Sequence, residues 1–184
     1  MNDTYELHVA GLTRTLPIIR ITDSLSIASF VILGDAELVL HAAAELSKKV
    51  PKVDYLVTAE AKGIPLVQEL ARILGMNRYF VARKSIKPYM ADPVVTEVYS
   101  ITTQAKQILC LDKEESALIR GKRILIVDDV ISTGDSIKAM EALVKKAGGI
   151  VAGKAAILAE GDSAKRSDII YLEKLPVFPM KPSR

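Results

Sequence analysis

The stretch Arg123-Ile124-Leu125-Ile126-Val127-Asp128-Asp129-Val130-Ile131-Ser132-Thr133-Gly134-Asp135-Ser136, or RILIVDDVISTGDS, decides how this chain is read. Residues 124–127 are uniformly aliphatic and β-rich, the pattern of a strand buried on both faces of a parallel sheet. Two adjacent carboxylates, Asp128 and Asp129, end that run. There they repel each other and lose hydration. A break in a burial rule marks a place where function overrides folding. The residues that follow, Ser132 to Ser136, are small and hydroxylic and lead into a helix predicted over 136–147. Successive amides at a helix start, with Gly134 permitting unusual backbone angles, form a cradle for an anion such as phosphate. The hydroxyls of Ser132, Thr133 and Ser136 add donors to it. An ordinary capped turn uses the same residue types. The acids next to it favour a sugar phosphate, because carboxylates accept from vicinal ring hydroxyls and offset positive charge developing on the ring.

Working outward, the same alternation of short apolar runs and amphipathic segments recurs. Asp35 is placed to cap a helix carrying Ala36, Val39, Leu40, Ala43 and Leu46 on one face. Residues 54–59 read as a buried strand, which passes through Glu60-Ala61-Lys62-Gly63 into a helix with Pro65 near its start and Gly75 at its end. Residues 79–82 form a further strand, and 150–158 another. Residues 84–107 are polar, with Pro88 and Pro93 and partial alternation at Val95, Val98 and Ile101, and read as a mobile excursion or loose hairpin. The tail, with Pro176, Pro179 and Pro182, reads as partly irregular. Strands and helices in this order predict an α/β fold, a mainly parallel twisted sheet with helices on both faces. Ligands of such sheets lie beyond the carboxyl ends of the strands. Three unusual segments sit at those ends and are expected to converge: 60–63, Arg83-Lys84 and 128–136.

Composition narrows the classes. The 184 residues suffice for one domain, and 49% are hydrophobic, as in a globular protein. Lys and Arg number 25 against 22 acids, a balance that suits a small anionic ligand and not a nucleic acid. No Walker phosphate loop is present. Cys110 is the single cysteine, in the apolar run 107–111, so it reads as a buried inert thiol in a reducing compartment. His8 and His41 are isolated, and no metal-ligand spacing is present. No membrane-length apolar run and no signal peptide are read at the start, and a cytoplasmic protein is expected.

The segment 124–136 resembles the phosphoribosyl-diphosphate (PRPP) binding motif of the type I phosphoribosyltransferases: hydrophobic strand, two acids, two aliphatics, then Ser-Thr-Gly-x-Ser. Residues 60–64 resemble the diphosphate loop of the purine members, which carries a strained or cis peptide near its Ala-Lys step. Residues 80–85 resemble the segment that presents basic side chains to the diphosphate, and the excursion matches the family's flexible loop. The resemblance implies a type I phosphoribosyltransferase fold in a single domain over 1–184. A hood over about 1–33 and 160–184 and a flexible loop over about 84–107 complete it. It further implies PRPP and a purine base as substrates, Mg²⁺ brought in through PRPP with no direct protein ligand, and a homodimer.

The residue roles implied are as follows. Ser132, Thr133, Gly134, Asp135 and Ser136 hold the 5′-phosphate, and Asp128 and Asp129 are the catalytic pair on the ribose. Ala61, Lys62, Gly63, Arg83, Lys84 and Lys87 serve the diphosphate, while Ile27 and Glu160 meet the base. For the base itself, Ser132 stands where hypoxanthine-guanine enzymes place an Asp, which argues against that branch. Xanthine enzymes carry an amide and a lysine where this chain has Ile27 and Gly161. Adenine is therefore the favoured purine, although the Leu-Glu-Tyr-Gly of adenine enzymes is replaced by residues 99–104. The alternatives are a xanthine/guanine enzyme and a non-catalytic PRPP sensor. A regulator of the sensor type would ordinarily carry a winged-helix domain, for which this length leaves no room.

Overall fold

A computed structural model of the protein describes residues 3–99 and 106–179. Strands β1 (Thr4–Val9), β2 (Leu12–Thr22) and β3 (Leu25–Ala28) come first, then α1 (Ala36–Ser47), β4 (Tyr55–Ala59), α2 (Ile64–Ile73) and β5 (Phe80–Ala82). The hairpin β6 (Val94–Tyr99) and β7 (Lys106–Leu111) precedes α3 (Lys113–Ile119), β8 (Arg123–Ile131) and α4 (Asp135–Lys146). The chain then runs through β9 (Ile150–Glu160), a 3-10 segment (Gly161–Lys165), β10 (Ile170–Leu175) and β11 (Val177–Pro179).

The predicted parallel sheet is present as five strands in the order β10-β9-β8-β4-β5, every neighbouring pair parallel. Strand β8 is central, and its alternation explains the greasy run. Leu125 and Val127 enter one core with α1 and α2, while Ile124 and Ile126 enter the other with α4. All four are essentially inaccessible to solvent. At about 25 cal/mol per Å² of apolar area, each such side chain contributes on the order of 2 kcal/mol to folding. A second, antiparallel sheet runs β1-β2-β3-β11. Its first hairpin turns through Ala10 and Gly11, both at positive φ, the backbone a two-residue hairpin loop requires. Asp35 caps α1 as expected, accepting from the Leu38 amide. It also receives Arg14 Nε at 2.6 Å, which fastens β2 to α1.

The structure corrects three expectations, on β8, on a helix α3 and on the tail, and refines the hairpin reading of the excursion. Strand β8 does not stop at the acids but runs on to Ile131, with Asp128 opposite Ala156 and Val130 opposite Leu158. The acids are therefore built into a strand rather than hung on its end. Within the excursion the hairpin is β6 paired with β7, with Val95 opposite Cys110 and Val94 opposite Leu111, and its second strand runs on to Leu111; Ile101 lies outside the described residues. Lys146 Nζ donates to the Val95 carbonyl at 2.8 Å, and the backbones of Arg83 and Cys110 exchange hydrogen bonds, so the hairpin base is pinned to α4 and to β5. A short helix, α3, was not expected. It starts at a capping box in which Asp112 and Glu115 bond reciprocally to backbone amides. The tail is regular through Pro179: β10 joins the parallel sheet, and β11 joins β3. Pro182 lies outside the described residues.

Candidate active site

The carboxyl ends of β4, β8 and β9 open into a cavity of about 620 Å³, and segments distant in sequence meet there. Ala61 and Lys62 line it from the β4–α2 turn, and Asp128, Asp129, Ser132 and Ser136 from β8 and its loop. Lys84 lines it after β5, Glu160 at the end of β9, and Ile27 in β3. A smaller recess of about 80 Å³ is formed by Asp128, Ser132, Thr133, Gly134 and Ser136. Gly134 is the N-cap of α4 at φ +88°. That left-handed angle, costly for any residue with a Cβ, turns the strand into the helix beside this recess.

The acid pair is electrostatically loaded. Asp128 is half-buried and Asp129 buried. Burial first, and the neighbouring Asp129 charge second, push the Asp128 carboxyl up to about 7; the Lys62 ammonium pulls against them. Asp128 Oδ1 accepts the Asp129 amide at 2.9 Å. Asp129 Oδ2 is buried with no hydrogen-bond donor among the described residues, and Lys62 Nζ stands 3.6 Å from it. A buried carboxylate oxygen left without a donor is costly, and such costs are kept where function needs them.

The cation loop is organised by Glu60, a residue the sequence reading gave no role. Glu60 accepts the Lys84 amide at 2.6 Å and faces Arg83 Nη1 at 3.4 Å. That amide, more than the Arg83 charge, holds the Glu60 carboxyl below its ordinary range. The peptide between Glu60 and Ala61 is cis, one bond ahead of the expected Ala-Lys step. Gly63 begins α2 with its Cα against Thr58, so a Cβ there would collide with the Thr58 hydroxyl.

Not every expected residue reaches the cavity wall. Arg83 is turned toward Glu60, and Lys87 Nζ donates to Ser85 at 2.6 Å. Asp135 accepts the Thr133 hydroxyl at 2.9 Å in the first turn of α4. Gly63 acts through the space it leaves. Conversely, Ser29, Phe30 and Val31 line the cavity beside Ile27, and Ile108 and Leu109 of β7 line it from the hairpin, none of them marked by any motif. Cys110 is fully buried, and burial pushes its thiol up, which fits the inert role expected of it. Among the described residues no three His, Cys, Asp or Glu side chains are grouped to hold a metal ion, and no helix is long and apolar enough to cross a membrane.

The chain is 33% identical over 126 residues to the adenine phosphoribosyltransferase of Brachyspira hyodysenteriae, a stretch covering 68% of this chain and 69% of that protein. It is 31% identical over 111 residues to the xanthine phosphoribosyltransferase of Lactobacillus helveticus, covering 59% and 56% of the two chains. Among solved structures, the adenine phosphoribosyltransferase of Thermoanaerobacter pseudethanolicus superposes with a TM-score of 0.64 at 27% identity, over 78% of this chain and 84% of that one. The family model for the phosphoribosyl transferase domain matches residues 33–180. That span takes in the acid pair, the hydroxylic loop 132–136 and the Lys62 loop, and the chain belongs to the phosphoribosyltransferase family.

Proposed function

We propose that this protein transfers the 5-phosphoribosyl group of PRPP to a purine base, adenine favoured, releasing diphosphate and a nucleoside monophosphate for purine salvage. The observation that carries the reading is the shared cavity, where the phosphate cradle, the acid pair, Lys62 and a base-sized wall of Ile27, Phe30 and Glu160 meet. In this reading the amides and hydroxyls of residues 132–136 hold the 5′-phosphate. Asp128 and Asp129 accept from the ribose hydroxyls and stabilise positive charge as the bond to diphosphate breaks. Lys62 and Lys84, with Ala61 and Gly63 shaping the turn, receive the leaving diphosphate. Arg83 and Lys87 act from behind, Arg83 through Glu60. The purine nitrogen attacks C1′ as diphosphate departs, so an oxocarbenium-like transition state lies between the acids and the cations.

Adenine is favoured by acceptor chemistry as well as by its relatives. Glu160 lines the cavity beside Ile27. Its carboxylate complements the exocyclic amino group of adenine, whereas a 6-oxopurine offers an acceptor at that position. In this reading Mg²⁺ comes in on the oxygens of PRPP with no direct protein ligand, and Asp128 and Asp129 face the ribose hydroxyls of the same substrate. When bound, the ion supplies charge neutralisation to the diphosphate. We read residues 1–184 as one domain, with the hood over about 1–33 and 160–184 and the closing loop over about 84–107. On the family resemblance we also read a cytoplasmic homodimer.

The test is turnover with PRPP, Mg²⁺ and each of adenine, guanine, hypoxanthine, xanthine, orotate and uracil. Turnover of adenine supports the proposal, and turnover of xanthine or guanine alone replaces adenine. PRPP binding without any turnover makes the protein a sensor. The double variant Asp128→Asn with Asp129→Asn is expected to lose turnover while keeping its fold by circular dichroism.

A further inference from the structure

Behind the phosphate cradle lies a set of contacts that no motif marked. Ser163, in the 3-10 segment after β9, is buried, and its hydroxyl donates to the carbonyl of Ser132. Arg166, at the end of the same segment, binds Asp168 with two parallel hydrogen bonds, Nε to Oδ1 at 2.9 Å and Nη2 to Oδ2 at 2.8 Å. The fork leaves Nη1 directed elsewhere, and it lies 2.5 Å from the place a Cβ on Gly134 would occupy. The guanidinium thus packs on the bare Cα face of the one left-handed residue in the cradle.

The contacts close into a ring. Asp168 Oδ2 accepts Lys154 Nζ at 2.6 Å, and that ammonium also faces Glu141 Oε2 at 3.3 Å. Lys154 is largely buried in β9, and Glu141 lies on α4, the helix that begins at the cradle. From Gly134 the path runs down α4 to Glu141, across to Lys154, on to Asp168 and Arg166, and back to Gly134. Tyr171 Oη fixes the segment itself by donating to the Ala164 carbonyl at 2.9 Å. Bidentate Arg–carboxylate pairing sets direction as well as distance, so the ring fixes where the guanidinium plane stands.

We propose that Ser163 and Arg166 are positioning residues that hold the phosphate cradle from behind and set the affinity for the 5′-phosphate. The proposal rests on the reading of residues 132–136 as the PRPP phosphate site. Neither residue touches the reacting atoms. Each acts through a loop whose amides must converge on one anion, and small displacements of such donors weaken binding steeply. The 3-10 segment also begins directly after Glu160, so one short element joins the base wall to the phosphate cradle.

The experiment compares Ser163→Ala and Arg166→Ala with the unsubstituted protein and with Lys165→Ala, an exposed neighbour on the same segment. Ser163→Ala removes a single oxygen and so retains the fold if Arg166→Ala does not. Steady-state kinetics and calorimetric titration with ribose 5-phosphate are measured for each. The expected result is a roughly tenfold rise in KM for PRPP and in Kd for ribose 5-phosphate, the scale of one lost hydrogen bond. The KM for the base and kcat stay within about twofold, and Lys165→Ala matches the wild type. Wild-type binding with unchanged Ser163→Ala and Arg166→Ala overturns the clamp alone. A uniform rise of both KM values with a fall in kcat also overturns it, because general loosening is then the cause. A wild-type protein that binds neither PRPP nor ribose 5-phosphate overturns the clamp together with the function it rests on.

Discussion

Lys62 Nζ stands 3.6 Å from Asp129 Oδ2, joining the β4–α2 turn to the acid pair of β8 across the cavity. The lysine side chain is half exposed and the aspartate is 4% exposed, so the pair straddles the boundary of the site rather than its interior. An ammonium at that boundary faces two demands. It steadies the acids in the free protein, and in the proposed function it also receives the leaving diphosphate.

Removing that ammonium therefore affects titration as well as turnover. Lys62 lowers the Asp128 carboxyl against burial and Asp129. In Lys62→Met the Asp128 carboxyl is expected to hold its proton to higher pH, and the acidic limb of the kcat/KM profile moves upward. Turnover with PRPP falls by about 100-fold or more, the usual scale for losing one preorganised charge in a site. A pH–rate series on both proteins checks this, and an acidic limb that stays in place refutes the coupling.

Stability should follow pH in the opposite sense to an ordinary ion pair. A carboxyl normally titrates near ~4, and Asp128 is raised to about 7 by burial and by Asp129. Between those values the folded chain holds a proton that the unfolded chain has released. Stability contributed by the protonated form is present at low pH, is lost as pH rises through this window, and does not return above it. Asp128→Asn removes the penalty, so it is expected to be more stable than wild type at pH 8 by on the order of 1 kcal/mol or more, with the difference shrinking toward pH 4. Urea titrations at pH 4.5, 6 and 8 measure it. A variant less stable at pH 8 contradicts the assigned burial.

What could be read from the sequence divides along physical lines. Residues 124–127 announced a doubly buried strand because hydrophobic burial is written in composition, and the two cores on either side of β8 bear it out. Asp35 announced a helix start because a cap is a local contact. The extension of β8 through Asp128 and Asp129 was not legible, since cross-strand pairing with β9 outweighs the local preference against acids in a strand. Glu60 was missed for a related reason. Its partners, Arg83 and Lys84, are more than twenty residues away and meet it only through the parallel pairing of β4 and β5. The β7 wall of the cavity depends on the hairpin register in the same way. Motif and periodicity carry local physics; the contacts between strand ends are set by topology.

Gly63 illustrates a glycine kept for room rather than for backbone freedom. Its φ of −71° suits any residue, yet a Cβ would collide with the buried Thr58 hydroxyl and press on Thr58 Cβ at 3.3 Å. Gly63→Ala is expected to cost about 1–3 kcal/mol, as overpacking of a close-packed site does. Thr58→Ala in the same chain should recover a large part of that loss by removing the obstructing atom. A double-mutant cycle in urea reads the coupling, and simple additivity of the two changes rules out the steric account.

The link between β2 and α1 gives a last prediction. Asp35 Oδ1 accepts the Leu38 amide at 3.0 Å as the cap of α1, while both its oxygens receive Arg14 from β2, at 2.6 and 3.0 Å. Arg14 also reaches Glu37 at 2.8 Å in the first helical turn. The Arg14 bonds, more than the cap, hold the Asp35 carboxyl below its ordinary range. Asp35→Ala is expected to lower stability by about 1–2 kcal/mol, since it removes the cap and the anchor together. Asp35→Asn retains the Oδ1 cap but loses the charge and the Oδ2 acceptor of Arg14 Nε, so it removes the anchor alone and its loss should be smaller, within about 1 kcal/mol for a partly exposed pair. Because the anchor is ionic and Asp35 titrates low, the wild type should shed this advantage as pH falls through the lowered carboxyl value, whereas Asp35→Asn should not. Because Ile27 follows β2 on the same antiparallel sheet, loosening the anchor should also raise the KM for the base more than that for PRPP. Urea titrations at pH 7 and pH 3, with KM measured for both substrates, test the pair of claims. Equal effects of the Ala and Asn variants would show that the cap contributes nothing.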